Sequence, residues 1–281
     1  TTDLVDTPKT ITVISSDLLA DQGVTDFIVC AGARNAAFVK VLSQAAGLKT
    51  YNFFEERSAS FFALGRAKLT KRPVAVVTTS GTAVAELLPA VMESYYGGAP
   101  LVLITADRPK SYRGSGAPQA IEQSHLFEKF VEQSFDLEVG ESFKLNSIKG
   151  SVQLNICFDE PLIDEESISE KFQPKEYVPV SSGPLGEVEF SGKEPLIIVN
   201  GLSTLEQKKW IPQLQELGRP IYLESMTYGN LESPKGIVQE IPQSGFDSVV
   251  RIGRVPTHRF WRDLEARGRK DHQKIGSIEE S

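Results

Sequence analysis

Short apolar runs alternate with amphipathic stretches through the first half of the chain. Four of these runs predict strands, namely TDFIVC, LKTYNFF, PVAVVTT and APLVLITA, and a fifth apolar stretch, GSVQLNICF, closes the unit near residue 162. The segments between them predict single helices: ITVISSDLLADQG, ARNAAFVKVLSQAAG (ending at Gly47), SASFFALGRAKLT and TAVAELLPAVMESYY (ending at Gly97 and Gly98). Strands without a polar face, separated by helices, are typical of a doubly wound parallel sheet covered on both sides. We therefore predict an α/β first domain over residues 1–180.

A polar segment interrupts this rhythm. Residues 163–192 are polar, with scattered proline, glycine and serine, and we interpret them as a linker that crosses the surface. Strand and helix patterns then resume with PLIIVNG, STLEQKKWIPQLQELG, RPIYLES, FDSVVRIG, VPTHRFWRDLEARG and QKIGSIEES. These patterns predict a smaller Rossmann-like α/β domain over residues 186–281, which looks incomplete.

Charge and composition exclude several classes of protein. The 281 residues carry a formal net charge of −7 with a pI of about 5.2, which argues against nucleic acid as a partner but allows local arginine pockets. No apolar run reaches the roughly 18 residues of a membrane helix, and TTDLVDTPKT has no signal-peptide pattern. We interpret Cys30 and Cys157, which lie in apolar runs, as reduced structural residues of a cytoplasmic protein. No Cys/His cluster has zinc-site spacing, so we predict no metal ligand in this chain.

Candidate chemistry lies where the predicted strands end. In a parallel α/β sheet ligands gather at the carboxyl ends of the strands. Polar residues follow four strands here, at 30–35, 55–57, 79–82 and 106–109, and the segment GAPQAIEQ comes after the last of them. Each loop also has a purely structural interpretation. The TTSGT turn could cradle an anion or simply cap a helix, the acids could satisfy a helix dipole, and Arg108 could be a solvated surface residue.

Taken together, four segments resemble a known enzyme family. FFEERSASFFALGRAK, RPVAVVTTSGTAVAELLPAVMES, PLVLITADRP and GAPQAIEQSHLF are similar, in order and spacing, to the thiamine diphosphate enzyme 2-succinyl-5-enolpyruvyl-6-hydroxy-3-cyclohexene-1-carboxylate synthase (SEPHCHC synthase) of menaquinone biosynthesis. FDSVVRIGRVPTHRFWRDLE resembles the family's middle domain. The resemblance implies that the first domain binds the aminopyrimidine of the cofactor. It also implies that the family's diphosphate-binding domain, with its G-D-G motif, is absent from these 281 residues.

The resemblance implies a role for one of two adjacent acids. Within the family's F-[DE]-E-R pattern, Glu56 matches the glutamate that hydrogen-bonds the aminopyrimidine N1′, and Glu55 fills the variable acidic position. We expect Phe53 and Phe54 to supply apolar surroundings for Glu56. Because side chains alternate along a strand, we expect Glu55 to point elsewhere, towards solvent or a basic partner such as Arg57.

The same resemblance implies cofactor and substrate contacts. The turn after the third strand implies cofactor contacts from Ser80, Gly81 and Thr82, and the family pattern implies substrate contacts from Arg34, Asn35, Arg108 and Gln119. Guanidinium groups suit dicarboxylates because they can bind them bidentately. The loop AGARN departs from the family's P-G-S-R-S, and its two hydroxyl residues are replaced by Ala33 and Asn35.

The family's reaction implies the partners of the parent protein. That protein would decarboxylate 2-oxoglutarate and add the remaining four-carbon unit to isochorismate, using thiamine diphosphate and Mg²⁺, as a homodimer or homotetramer. We expect the 281-residue chain alone to be inactive. Two alternatives stay open: another thiamine diphosphate decarboxylase or carboligase with different substrates, suggested by AGARN, and a non-catalytic binding or assembly module of the same fold.

Overall fold

Two compact units make up the chain, Thr1–Val180 and Ser181–Ser281. The computed structural model describes residues 8–163, 171–177, 193–202, 204–224, 236–242, 244–271 and 276–278. Among these residues no helix is both long and apolar enough to cross a membrane. The role expected for the second unit, as the middle domain of the family that the sequence resembles, stays a prediction.

A six-stranded parallel sheet forms the centre of the first unit. Its strands are β1 (Asp26–Cys30), β2 (Lys49–Phe53), β3 (Val74–Thr78), β4 (Leu101–Asp107), β5 (Gln133–Glu138) and β6 (Val152–Cys157). Their order across the sheet is β2-β1-β3-β4-β6-β5, and every neighbouring pair is parallel. Every residue of β1, β3, β4 and β6 is buried. The predicted α/β fold is confirmed.

Helices cover this sheet on both faces. They are α1 (Pro8–Asp21), α2 (Ala36–Gln44), α3 (Glu56–Thr70), α4 (Thr82–Ala85) and α5 (Leu88–Gly97). One apolar cluster joins α1 and α2 to one face of the sheet, and a second cluster joins α3 and α5 to the other face. Ala59, Ala63 and Ala67 form the buried side of α3, so this helix can approach the sheet closely.

One helix division, one helix end and one strand differ from the predictions. The segment TAVAELLPAVMESYY is two helices, because Pro89 has no N–H to donate and lies in the first turn of α5 instead of a helix interior. The second helix ends at Gln44, and Ala45 is already extended. Strand β5 was not predicted, because it is an edge strand whose alternating polar residues resemble a loop.

Part of the predicted linker packs on the first unit. Residues 164–170 and 178–192 lie outside the described residues. Between them, the buried Phe172 packs with Ala20 and Val41, and its N–H donates to the carbonyl oxygen of Ala46 at 3.0 Å. A Cβ on Gly47 would lie 2.3 Å from the carbonyl oxygen of Phe172. Gly47 therefore permits this close approach and does not cap a helix, as we had predicted.

A second parallel sheet forms the other unit. Its strands are β7 (Pro195–Asn200), β8 (Ile221–Leu223), β9 (Ile237–Val238), β10 (Ser248–Gly253) and β11 (Gly276–Ile278), in the order β11-β10-β7-β8-β9. The helices α6 (Thr204–Glu216) and α7 (Arg259–Asp271) accompany it. Ile211 and Trp261 are almost fully buried in its two apolar clusters. The strand order, with the first strand beside the fourth, is the Rossmann-like arrangement expected from the sequence.

Truncating a central strand residue should test the core of the first unit. Leu103 in β4 is fully buried, so we expect Leu103→Ala to lower the free energy of unfolding by about 2–5 kcal/mol. Leu69 is 80% exposed on α3, so Leu69→Ala should change it by less than about 0.5 kcal/mol. Urea unfolding followed by far-UV circular dichroism measures both. Trp210 and Trp261, the two tryptophans, report separately on the second unit by fluorescence. Equal losses in the two variants would contradict this account of the core.

Candidate active site at the carboxyl edge of the first sheet

The loops that follow the strands of the first sheet contact one another at its carboxyl edge. A Cβ on Gly32, after β1, would lie 2.6 Å from the Cβ of Thr79, after β3. A Cβ on Gly81 would lie 3.0 Å from the Cα of Gln119, and Gly81 has a φ of +83°, which favours glycine. The candidate loops predicted after β1 and β3 therefore lie together, with the GAPQAIEQ segment against the second of them.

Glu55 and Glu56 face different environments, but not because of strand alternation. Glu55 is the N-cap of α3, and its carboxylate accepts hydrogen bonds from the N–H groups of Arg57 at 3.1 Å and Ser58 at 2.7 Å. The hydroxyl of Ser58 donates to the same carboxylate. Bonds from the Ser58 hydroxyl and N–H lower the pKa of Glu55. Arg57 approaches Glu55 at 3.8 Å, as predicted, and both side chains are exposed.

Glu56 begins the helix and is half-buried. Within the described part of the chain, its carboxylate has neither a hydrogen bond nor an ion pair. It lies near the end of β1, since burial, followed by the charges of Glu56 and Glu55, raises the pKa of the Cys30 thiol to about 12. Glu56 is therefore a carboxylate available to a ligand at the carboxyl edge.

The two phenylalanines expected to surround Glu56 differ in burial. Phe53 is half-buried and packs against Phe62 with ring centroids 5.0 Å apart. Phe54 is fully exposed, so it shields nothing within the first unit. The expectation for Phe54 is wrong for this chain alone, because the backbone turns from strand to helix cap at that point.

Arg34 and Asn35 have different surroundings. Arg34 is half-buried, and its Nη1 donates to the carbonyl oxygen of Phe158 at 3.0 Å. Asn35 is fully buried; its Nδ2 donates to the carbonyl of Cys30 and its Oδ1 accepts from the N–H of Gly32, both at 2.8 Å. Because both ends of its amide bind backbone, Asn35 braces the loop and has no surface to offer a substrate in this conformation.

Arg108 and Gln119 are joined through one loop. The Nε of Arg108 donates to the carbonyl of Pro118 at 2.9 Å, and its guanidinium lies 5.6 Å from the ring centre of Tyr112. Gln119 is exposed and has a φ of +56°, unusual for a residue other than glycine. Their predicted substrate contacts stay predictions, as does that of Arg34.

Backbone pairing links Arg34 to the same edge. The N–H of Phe158, whose carbonyl accepts from Arg34, donates to the carbonyl of Asp107 at 2.9 Å, and Asp107 precedes Arg108. Arg34 follows β1, and its guanidinium therefore reaches the end of β6, beside the end of β4 that carries Arg108.

The turn at Ser80, Gly81 and Thr82 differs from a simple anion cradle. Ser80 is buried and Thr82 is exposed at the start of α4. The N–H of Gly81 already donates to Oε1 of Gln123 at 2.9 Å. One N–H of this turn is therefore already paired within the protein, and the cofactor contacts of its three residues stay predictions.

Sequence reasoning missed a polar network beneath these loops. It comprises Asp107, Arg113, Gln123, Asp136 and Asn155, on β4, β5, β6 and the loop between β4 and β5. Side-chain oxygens of Asp107 and Asp136 and the Cys157 sulfur lie within 4.8 Å of one another, a spacing that could suit a metal ion. Arg113 already supplies the positive charge there. The sequence signal was an acid or amide at the end of or within the apolar strands β4 and β6, at Asp107 and Asn155.

Comparison with known proteins defines the class of the first unit. Residues 10–126 match the family model described as "Thiamine pyrophosphate enzyme, N-terminal TPP binding domain". The matched region contains α2 to α5, β1 to β4 and the loops that carry Glu56, Arg34 and Arg108. The first unit is therefore a thiamine pyrophosphate-binding domain of this enzyme family.

Relatives with known names support the resemblance to the SEPHCHC synthases in particular. The chain is 43% identical to 2-succinyl-5-enolpyruvyl-6-hydroxy-3-cyclohexene-1-carboxylate synthase of Bdellovibrio bacteriovorus, over 88% of the chain and 51% of that protein. It is 39% identical to the enzyme of the same name from Akkermansia muciniphila, over 86% and 48%, and 48% identical to that of Geobacillus kaustophilus over 44% and 22%. The resemblance to the SEPHCHC synthases is confirmed, and the chain spans about half the length of the first two relatives.

The cap formed by Glu55 should make the stability of α3 depend on pH. Its folded-state pKa is lowered, so the charged carboxylate stabilises the fold above its ordinary pKa of about 4.3, and this contribution is lost as the pH falls through the lower folded value. We expect Glu55→Gln to lower the Tm by about 2 °C at pH 7 and by progressively less below about pH 4. Thermal unfolding at pH 3 to about pH 7 measures the difference. Glu93→Gln, at an exposed position of α5, is the control and should change the Tm little at any pH. If the Tm difference between Glu55→Gln and the wild type were the same at every pH, the charge of Glu55 would not contribute to stability.

Proposed function

We propose that the chain is part of a SEPHCHC synthase, a transferase that decarboxylates 2-oxoglutarate and transfers the remaining four-carbon unit to isochorismate. The observation that carries this proposal is Glu56. It is a half-buried carboxylate without a protein partner among the described residues, at the carboxyl edge of a thiamine pyrophosphate-binding domain. The names of the relatives support the particular reaction.

The residues at this edge fit the aminopyrimidine end of thiamine diphosphate. That ring presents a nitrogen and an amino group, and a carboxylate in a partly dry site can hold a proton against such a nitrogen. Thiamine diphosphate would supply the carbon nucleophile of the reaction. Glu56 would hold the proton at N1′, and Phe53 would limit the access of water to it. Mg²⁺ would bind with the diphosphate, and we assign it no ligand in this chain.

Two arginines at the edge fit dicarboxylate substrates. Arg34 and Arg108 each use only part of the guanidinium group for a backbone carbonyl, so further N–H donors can meet a carboxylate. Gln119, exposed beside Gly81, would add an amide contact. We revise the role of Asn35 to bracing the loop that presents Arg34, because its amide is fully engaged.

Exposed large apolar side chains support a homodimer or homotetramer. Large apolar side chains of α3, α5 and the preceding loop remain on the surface of the first unit: Phe54, Phe61, Phe62, Leu69, Tyr95 and Tyr96. Such groups of exposed apolar side chains mark contact surfaces. Because α3 begins with Glu56, a second copy packed against the exposed side chains at the start of α3 would also exclude water from the carboxylate. Cys30 and Cys157 are buried free thiols, which supports a cytoplasmic location.

Turnover by the full-length protein tests the proposal. With thiamine diphosphate and Mg²⁺ it should consume 2-oxoglutarate only slowly until isochorismate is added, and the 281-residue chain should show no turnover under the same conditions. Pyruvate replaces 2-oxoglutarate in a parallel reaction. Faster consumption of pyruvate would indicate a different carboligase, and no consumption of any 2-oxo acid would favour a non-catalytic module.

Replacing Glu56 should slow proton removal from the cofactor. In the full-length protein, Glu56→Gln should reduce deuterium exchange at C2 of bound thiamine diphosphate by about 10²–10⁴-fold, because an amide is a much weaker partner for N1′. Glu55→Gln is the matched control: its amide oxygen can still cap α3, and the loss should be below about tenfold. Quenched-flow exchange followed by NMR measures both rates. Equal rates for Glu56→Gln and the wild type would mean that another group performs this role.

A further inference from the structure

The loop that carries two of the predicted substrate residues has no apolar anchor. Residues 108–122 join β4 to a short 3-10 turn, and every one of them is exposed or half-buried. Gly114 and Gly116 have positive φ angles, and a Cβ at either would meet nothing within 4 Å. A segment of this kind depends on polar contacts to hold one conformation.

Arg113, in the middle of this loop, makes such contacts with two strands. Its Nη1 and Nη2 donate to Oδ2 and Oδ1 of Asp136 on β5, both at 2.6 Å, which is a bidentate pair. Nη2 also donates to Oδ2 of Asp107 at the end of β4, at 3.0 Å. The exposed fractions of the three side chains are 21% for Arg113, 29% for Asp136 and 1% for Asp107. The ion pairs are thus partly shielded from water, more than ordinary surface salt bridges are.

The pKa shift of Asp136 and the burial of Asp107 also indicate stable ion pairs. We call the set of Arg113, Asp107 and Asp136 the clamp. Burial alone would raise the pKa of Asp136, but the hydrogen bonds from Arg113 and Asn155 outweigh it and lower the pKa. Asp107 is almost fully buried and needs a cation. Arg113 supplies that cation for both carboxylates.

The clamp also reaches the backbone of Arg108. The second oxygen of Asp107, Oδ1, accepts a hydrogen bond from the N–H of Arg108 at 2.8 Å. One carboxylate therefore binds Arg113 through Oδ2 and orients the peptide of Arg108 through Oδ1.

The network continues to the far end of the loop. The amide nitrogen of Asn155 donates to Asp107 at 3.1 Å and to Asp136 at 2.8 Å, and its oxygen accepts from Gln123 at 2.8 Å. Gln123, directly after the loop, accepts from the N–H of Gly81 at 2.9 Å. The clamp thus connects both ends of the loop with the turn beside Gln119.

We propose that Arg113 is a positioning residue for substrate recognition: its ion pairs with Asp107 and Asp136 fix the loop 108–122 and so hold Arg108 and Gln119 at the carboxyl edge. Arg113 acts through the loop and not by direct contact, because its guanidinium faces the two carboxylates, its Nε is buried and only 21% of its side chain is exposed. The part of this inference that concerns substrate rests on the proposed function. The part that concerns the loop does not.

Hydrogen–deuterium exchange of the 281-residue chain tests the loop directly. Arg113→Lys keeps the charge but cannot bind two carboxylates in a fork, so exchange in peptides covering 108–122 should rise by at least about tenfold. Peptides from β1 and β3 should not change. Lys110→Gln is the control, since it removes a more exposed ion pair of the same loop, that with Glu141, and should alter exchange by less than about twofold. Unchanged exchange for Arg113→Lys, or faster exchange throughout the first unit, would overturn the proposal.

Steady-state kinetics of the full-length protein test the consequence for substrate. Arg113→Lys should raise the KM for the dicarboxylate substrates by about tenfold or more and lower kcat by less than about threefold, because substrate binding is affected more than the chemical step. Cofactor affinity should stay within about twofold of the wild type. An unchanged KM combined with a loosened loop would show that Arg113 orders the loop without positioning Arg108. A wild-type protein without turnover would refute the proposed function, and the exchange result would still decide whether Arg113 fixes the loop.

Discussion

A parallel sheet that is covered on both faces leaves little place for polar chemistry except the ends of its strands. In the first unit, β1, β3, β4 and β6 are buried along their whole length, so a charged group inside them would need a partner. The candidate site follows from this constraint. Glu56, Arg34 and Arg108 all lie just beyond the carboxyl end of a strand, where backbone groups are no longer paired within the sheet and can bind side chains.

The sequence predicted those features that depend on local pattern. Continuous apolar runs identified β1, β3 and β4, and the small residues of α3 identified a helix that packs closely. The sequence-based prediction failed where contacts between residues far apart in the chain determine the structure. Strand β5 has polar residues on one side that are tolerated only because it lies at the edge of the sheet, and Phe172 was assigned to a linker although it packs against α1 and α2. Local periodicity shows neither the edge position of β5 nor the packing partners of Phe172.

The site shows the same division between local and distant information. The motif FEER assigned different roles to Glu56 and Glu55, and the roles stay predictions. The two side chains do differ in surroundings, but not through strand alternation: the chain turns at Glu55, which becomes a helix cap. Asn35 was assigned to substrate from its place in the family pattern, yet its amide satisfies two backbone groups of its own loop. A motif identifies which residues lie near a site, whereas hydrogen-bond partners decide which of them remain able to bind a ligand.

The buried network also explains how exposed loops can present a defined surface. Arg34 and Asn35 are held by backbone carbonyls and amides of the strand ends, so their loop is fixed by hydrogen bonds within a few residues and to β6. The longer loop after β4 cannot be fixed locally, because its glycines and exposed residues restrain it little. An ion pair to the sheet restrains such a loop without apolar burial, so its outer surface can remain polar and accessible to an anionic ligand. In this fold, Arg113 and Asn155 offset the cost of burying Asp107, and the same two partners order the polar edge.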